Sequence, residues 1–201
     1  MASNNKFKIL AFDPGLTSTG WSLLESEIGS QDVVILKIGE LHPGQLADRA
    51  AYRDEVNKFD KRVVTLRLLR EGVAGLLNEF NPDFVTAEDI FINPRRPQAY
   101  GGLCMAICMM KMICRDVSNK RLVTIPTKIA KLDIAHSGSS GKRDVMESVT
   151  NHPNIKFASN DLRLNLSEHE ADSIAVGWSL TKRYKDLIAK ELEARNVCVQ
   201  T

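Results

Sequence analysis

Acids embedded in apolar runs are the chemical anomaly of this sequence. Most of its 25 carboxylates should face water, because a buried, unpaired charge costs several kcal/mol. Asp13 directly follows Ile9-Leu10-Ala11-Phe12, where a core strand emerges into Asp13-Pro14-Gly15. A turn-forming Asp before Pro-Gly accounts for that position on local grounds alone. Glu88 and Asp89 interrupt a second run, between Phe84-Val85-Thr86-Ala87 and Ile90-Phe91. Alternation sends them to opposite faces, and a strand buried on both faces leaves the choice between them open.

A third acid site lies near the C-terminus. Ser167-Glu168-His169-Glu170 reads as a capping box, with Ser167 as N-cap and Glu170 at the third helical position. That role occupies Glu170 and leaves His169 and Asp172, three apart, on one helix face. Asp172 shares its side with Ala175 and Val176, positions expected on the sheet; contact with the helix N-terminal dipole is the competing account. If Asp13, Glu88 and Asp172 converge, repulsion demands protonation or bound cations. Two like charges ~4 Å apart repel by about 4 kcal/mol at an effective dielectric of about 20. Oxygen ligands completed by water favour Mg²⁺ or Mn²⁺ over zinc. Two such ions ~3.5–4 Å apart would activate a water and stabilise the leaving oxygen of a phosphodiester.

The elements that must carry these groups follow an α/β order. Strands are expected at residues 8–12, 21–24 and 33–38, then a polar excursion over 42–58. The first long helix is expected over 59–80, with Val63, Leu66, Leu69 or Arg70, Val73 and Leu77 near helical spacing. A strand over 84–90, a helix over 97–117 and a strand over 122–125 come next. Pro126-Thr127 opens a short helix, and another follows the 138–141 turn to about residue 150. Residues 151–166 read as loop, and a last long helix runs over 167–194. At 201 residues without repeats or linkers, this is one domain with an extended C-terminal helix.

Composition narrows the class. With 43% hydrophobic and 26% charged residues the chain is globular, neither disordered nor collagen-like. The longest apolar stretch, 101–110, is well short of the roughly 20 residues a bilayer needs. No secretion signal precedes Asp13, so a cytoplasmic protein with no membrane contact is expected. The four cysteines lack paired metal-ligand spacing and read as small buried hydrophobes. Net charge is only +2, but residues 93–131 hold eight bases, among them Arg95, Arg96, Lys128 and Lys131, against one acid, Asp116. That patch is either a solvated helix flank or a phosphate-facing surface. The 97–117 helix holds four of the six methionines and is apolar nearly all round, so it should bury two sides, one on the sheet and the other on a second subunit, with a fully intramolecular core as the competing account.

Four blocks in order carry a family likeness. Ile9 to Gly15 with Thr19-Gly20-Trp21, then Asn81-Pro82-Asp83-Phe84 into Ala87-Glu88-Asp89-Ile90-Phe91, resemble the first two acidic strands of RuvC-type Holliday junction resolvases. Residues 131–142, with Gly138-Ser139 and two lysines eleven apart, resemble their basic region. His169-Glu170-Ala171-Asp172 before Ser173-Ile174-Ala175 is similar to the start of their C-terminal acidic helix.

The resemblance implies an RNase H-like fold, a central mixed five-stranded sheet flanked by helices. It implies a homodimeric, Mg²⁺-dependent endonuclease (Mn²⁺ substituting, two ions per site) that cuts paired strands of four-way DNA junctions in recombination and repair. Asp13, Glu88 and Asp172 would bind metal. His169 would be the fourth member, where many relatives carry Asp, as ligand or proton carrier. Lys131 and Lys142 would contact phosphate or stabilise developing charge. Phe91 matches an aromatic that stacks at the junction centre, against a plainer reading as a core strand residue. Arg95, Arg96, Lys128 and Arg143 would be further DNA contacts. The stretch 42–58 looks longer than in bacterial relatives and the tail past Leu180 reads as helical and charged, which leaves room for a phage or organellar branch, with the host cytoplasm as its setting in the phage case. Three other readings stand beside this one: an RNase H-like nuclease acting on flaps, branched DNA or RNA–DNA hybrids, an actin-like ATPase half, and a non-catalytic junction-binding protein.

Overall fold

Three antiparallel strands open the chain: β1 (Lys6–Asp13), β2 (Thr19–Glu27) and β3 (Val33–Leu41). The computed structural model describes residues 5–92 and 97–198, so the expectations for Arg95 and Arg96 lie outside the described residues. β4 (Phe84–Glu88) pairs parallel with β1, and β5 (Leu122–Ile125) pairs parallel with β4. A sixth strand, β6 (Ile155–Phe157), pairs parallel with β3, giving the order β5-β4-β1-β2-β3-β6. The sheet is thus mixed, as expected, but six-stranded rather than five-stranded. β6 falls in a stretch expected to be loop. Three residues carry too little alternation to be recognised, and their pairing with residues 33–35 is purely tertiary.

The expected polar excursion folds into α1 (Pro43–Ala47), a 3₁₀ turn (Ala50–Tyr52) and α2 (Arg53–Phe59). Ala47 there packs on Val64 and Leu68 of α3 (Lys61–Phe80). Asp60, at φ 79°, breaks α2 from α3 and accepts from the Arg62 amide at 2.7 Å. Val64, Leu68 and Leu69 of α3 are buried, whereas Val63, expected on the core face, is 54% exposed. Asn81 ends α3 in the left-handed region, and Asp83 accepts from the Lys8 amide at 2.8 Å.

Next come α4 (Pro97–Ser118), α5 (Thr127–Ala135), α6 (Lys142–Asn151) and α7 (Asn160–Leu164). The expected last helix is two, α8 (Glu168–Arg183) and α9 (Lys185–Cys198), divided at Tyr184. Among the described residues, no helix is long and apolar enough to cross a membrane.

Strand alternation splits the core. Ile9, Ala11, Leu24 and Phe84 face α8, whereas Leu10, Phe12, Val85 and Ala87 face α3 and α4. α8 lies close: a Cβ at Gly177 would meet Leu24 Cδ1 at 2.7 Å. This fixes which strand positions can deliver a side chain to the α8 side.

Candidate active site

β1 and β4 run parallel with Phe12 opposite Ala87, so Asp13 and Glu88 leave the same end of adjacent strands. Both continue the alternate set that faces α8: Ile9, Ala11, Asp13 on β1 and Phe84, Thr86, Glu88 on β4. Asp89 lies one residue past the strand end. Its amide donates to the Ile125 carbonyl at 2.8 Å and its carboxylate accepts from the Ile90 amide at 2.9 Å, a structural role. The sheet therefore selects Glu88 over Asp89.

The third acid arrives with α8. Its capping box forms as expected: Ser167 Oγ accepts from the Glu170 amide at 3.2 Å, and Glu170 accepts from the Ser167 amide at 2.7 Å. His169 Nδ1 reaches Asp13 Oδ2 at 2.6 Å, and Asp172, one turn further, is half-buried behind it. The acids feel one another strongly. Burial, then the Asp13 charge and more weakly the Asp172 charge, push the Glu88 carboxyl up to about 8, against a hydrogen-bonding contribution from Thr127. Burial and then Asp13 push Asp172 up to about 6, opposed by Lys131, Lys142 and His169. The hydrogen bond to Asp13 raises His169 above its ordinary value.

Both expected lysines flank the cluster. Lys131 Nζ, on α5, donates to the Ser140 carbonyl at 2.9 Å. Lys142, the first residue of α6, lies 2.6 Å from Glu168 Oε2, and its pKa is raised by that pairing with smaller help from Asp172 and Asp13. Lys128 and Arg143 are exposed on the same two helices. Phe91 is 46% exposed and neighbouring Ile92 65% exposed, so Phe91 projects beyond β4 rather than joining the core. The structure thus places Asp13, Glu88, His169, Asp172, Lys131 and Lys142 at one end of the sheet.

The oxygen donors of Asp13, Glu88 and Asp172 are of the kind a hard divalent cation takes. Among the described residues, no three His, Cys, Asp or Glu side chains stand together so that they could hold a metal ion as placed here.

Two further acids matter that sequence reasoning did not single out. Glu40 lies near the end of β3, past the residues 33–38 expected as strand, and hydrogen-bonds Ser18 and Ser167. Asp133 on α5 is buried and accepts from Arg183 and Ser179 of α8. The signal for Asp133 was its position in the apolar face Ala130-Asp133-Ile134.

The sheet order, the acids on neighbouring parallel strands and the acid-bearing helix across them define an RNase H-like α/β protein. Comparison with known proteins narrows this. No protein-family model matches the chain. It is 26% identical over 151 residues to crossover junction endodeoxyribonuclease RuvC of Ehrlichia chaffeensis, spanning 74% of this chain and 84% of that protein. Against the RuvC of Trichlorobacter lovleyi it is 31% identical over 86 residues, 43% of this chain and 40% of that protein. Among solved structures, Thermus thermophilus RuvC in complex with Holliday junction substrate superimposes with TM-score 0.67 at 15% identity, covering 90% of this chain and 97% of that one. The fowlpox virus resolvase with substrate Holliday junction DNA gives 0.56 at 15% identity, covering 87% and 98%. The chain thus shares the fold of these resolvases and is similar in sequence to RuvC endonucleases.

Proposed function

We propose that this protein is a divalent-metal-dependent endonuclease that resolves four-way DNA junctions by paired phosphodiester cuts, working as a homodimer in the cytoplasm. The observation that carries the reading is the meeting of Asp13, Glu88 and Asp172, from two strands and one helix, at a sheet end flanked by Lys131 and Lys142. The named relatives are junction endonucleases, and two of the solved structures contain Holliday junction DNA. The actin-like alternative needs two RNase H-like halves, and the described residues form a single sheet.

Asp13, Glu88 and Asp172 would hold Mg²⁺, with Mn²⁺ able to substitute and two ions per site. Such ions, when bound, activate an attacking water and stabilise the leaving oxygen of the phosphodiester. The protein's own groups do the rest. Asp13 fixes the His169 ring through Nδ1, which leaves Nε2 to bind a cation or to carry a proton. Lys131 and Lys142 oppose the negative charge that builds on the phosphate. Exchange of Glu168 for phosphate on Lys142 keeps that cation paired throughout. Phe91, exposed beyond β4, offers a face for an unpaired base at the junction centre.

The test is cleavage of a synthetic four-way junction with Mg²⁺ and with EDTA, using wild type and Asp172→Asn. The variant keeps size and helix fit but weakens an oxygen ligand. Cleavage should fall by about 10²-fold or more while junction binding in Ca²⁺ persists. A helix-dipole role for Asp172 predicts instead a loss of about 0.3–1 kcal/mol in stability with normal turnover. Normal cutting by Asp172→Asn would falsify the assignment.

A further inference from the structure

Glu40 is a carboxylate the proposed chemistry does not use, yet both its oxygens are engaged and its side chain is only 19% exposed. Oε2 accepts from Ser18 Oγ at 2.6 Å, in the turn that follows Asp13. Oε1 accepts from Ser167 Oγ at 2.5 Å, the N-cap of α8. His42 Nε2 stands 3.7 Å from Oε2. The Ser167 hydroxyl therefore does two things: its proton goes to Glu40, while its oxygen caps the Glu170 amide.

The sheet register explains why this carboxylate is there. Asp13 lies opposite Gly20 across β1 and β2, and Gly20 lies opposite Glu40 across β2 and β3. Residues directly opposite in neighbouring strands point to the same face. Asp13 and Glu40 thus stand on either side of Gly20, on the face that α8 covers. A Cβ at Gly20 would fall 2.2 Å from the His169 carbonyl oxygen, so the first turn of α8 sits down on the bare glycine backbone. One carboxylate then takes His169 and the other takes Ser167, two residues earlier.

We propose that Glu40 is a positioning residue that clamps the N-cap of α8, and the turn after Asp13, so that His169 and Asp172 are delivered to Asp13 in register. Its consequence for cleavage rests on the nuclease reading above; the clamp itself does not. The first turn of α8 is also held by His169 on Asp13 and by Glu168 on Lys142, and Glu40 adds the contact at the N-cap itself, at the end that carries the chemistry.

The test pairs cleavage with a signal that needs no catalysis. Glu40→Gln keeps size but loses the charge and one of two strong acceptors. It should leave junction affinity in Ca²⁺ unchanged, slow single-turnover cleavage by roughly 10- to 100-fold, and move the His169 imidazole resonances in NMR. Glu27→Gln, exposed in β2, should change none of these. Ser167→Ala should lose part of the same rate, and adding it to Glu40→Gln should cost no more. It also supplies a milder break of the clamp if Glu40→Gln folds poorly. Unmoved His169 resonances, a wild-type cutting rate, or a rate loss matched by an equal loss of binding would each overturn the proposal. If the wild type binds junctions with Mg²⁺ and never cuts them, the nuclease reading fails, while the His169 resonances of Glu40→Gln still decide the clamp.

Discussion

His169 Nδ1 lies 2.6 Å from Asp13 Oδ2, a contact between residues 156 positions apart that ties the first strand to the first turn of α8. Because Asp172 follows one turn later, this contact sets where the third acid points. The same hydrogen bond raises the imidazole above its ordinary value.

Face selection at the end of β4 makes the first prediction. Glu88→Gln removes a carboxylate that faces Asp13 and Asp172, and junction cleavage in Mg²⁺ should fall by at least about 10²-fold. Asp89→Asn retains an oxygen acceptor for the Ile90 amide and should cut near the wild-type rate. Initial cleavage rates at saturating Mg²⁺ check both; equal losses would mean that the strand face does not choose between them.

Phosphate contacts should show in salt dependence. If Lys131, Lys142 and neighbouring bases meet the backbone, junction affinity should drop about tenfold or more between roughly 50 and 200 mM salt. Lys131→Ala and Lys142→Ala should each flatten the log–log slope by about one unit. Lys142 leaves a Glu168 partner when it binds, so its loss should weaken affinity less than Lys131 does. Titrations at several salt concentrations measure this, and parallel slopes would remove the lysines from the interface.

Asp133 links stability to pH. It is 3% exposed in its side chain and accepts two hydrogen bonds from Arg183, at 2.6 and 2.8 Å, and one from Ser179 at 2.8 Å. Burial pushes the carboxyl up, but the Arg183 and Ser179 hydrogen bonds outweigh it and hold it below its ordinary 3.8. A lowered folded value means the stabilisation is present above the unfolded value and is lost as pH falls through the folded one. Asp133→Asn should therefore cost about 2 kcal/mol near neutral pH, with the gap to wild type closing in acid below 3.8. Urea melts across that range test the sign.

The exposed stripe of α4 bears on assembly. Met105 and Met112, 43% and 54% exposed, line up with exposed Cys108 on one side of the helix, while Ala106, Met110 and Ile113 fill the core. The helix is therefore buried on one side only within a single chain, which departs from the all-round burial its composition suggests and leaves an apolar strip for a two-fold partner. Met105→Glu with Met112→Glu should convert a two-chain sedimentation mass to one chain. A wild-type protein that sediments as a single chain at micromolar concentration would sink the homodimer.

The residue types and spacing were enough to mark Asp13, the Glu88–Asp89 pair and the His169–Asp172 face, and to assign Glu170 to the capping box. These are local patterns: an acid ending an apolar run, or a cap three residues from its partner. Choosing Glu88 over Asp89 needed the parallel register of β1 with β4, because alternation alone gives both faces equal weight. Glu40 was silent, and Asp133 showed only its place in an apolar helix face, for a related reason. Each is an ordinary acid in its own segment, and its partners, Ser167 and Arg183, are brought to it only when α8 lies across the sheet. The same holds for β6, whose three residues become a strand because β3 offers an edge. Periodicity records what one element buries, whereas the meeting of side chains more than a hundred positions apart is decided by how the elements pack.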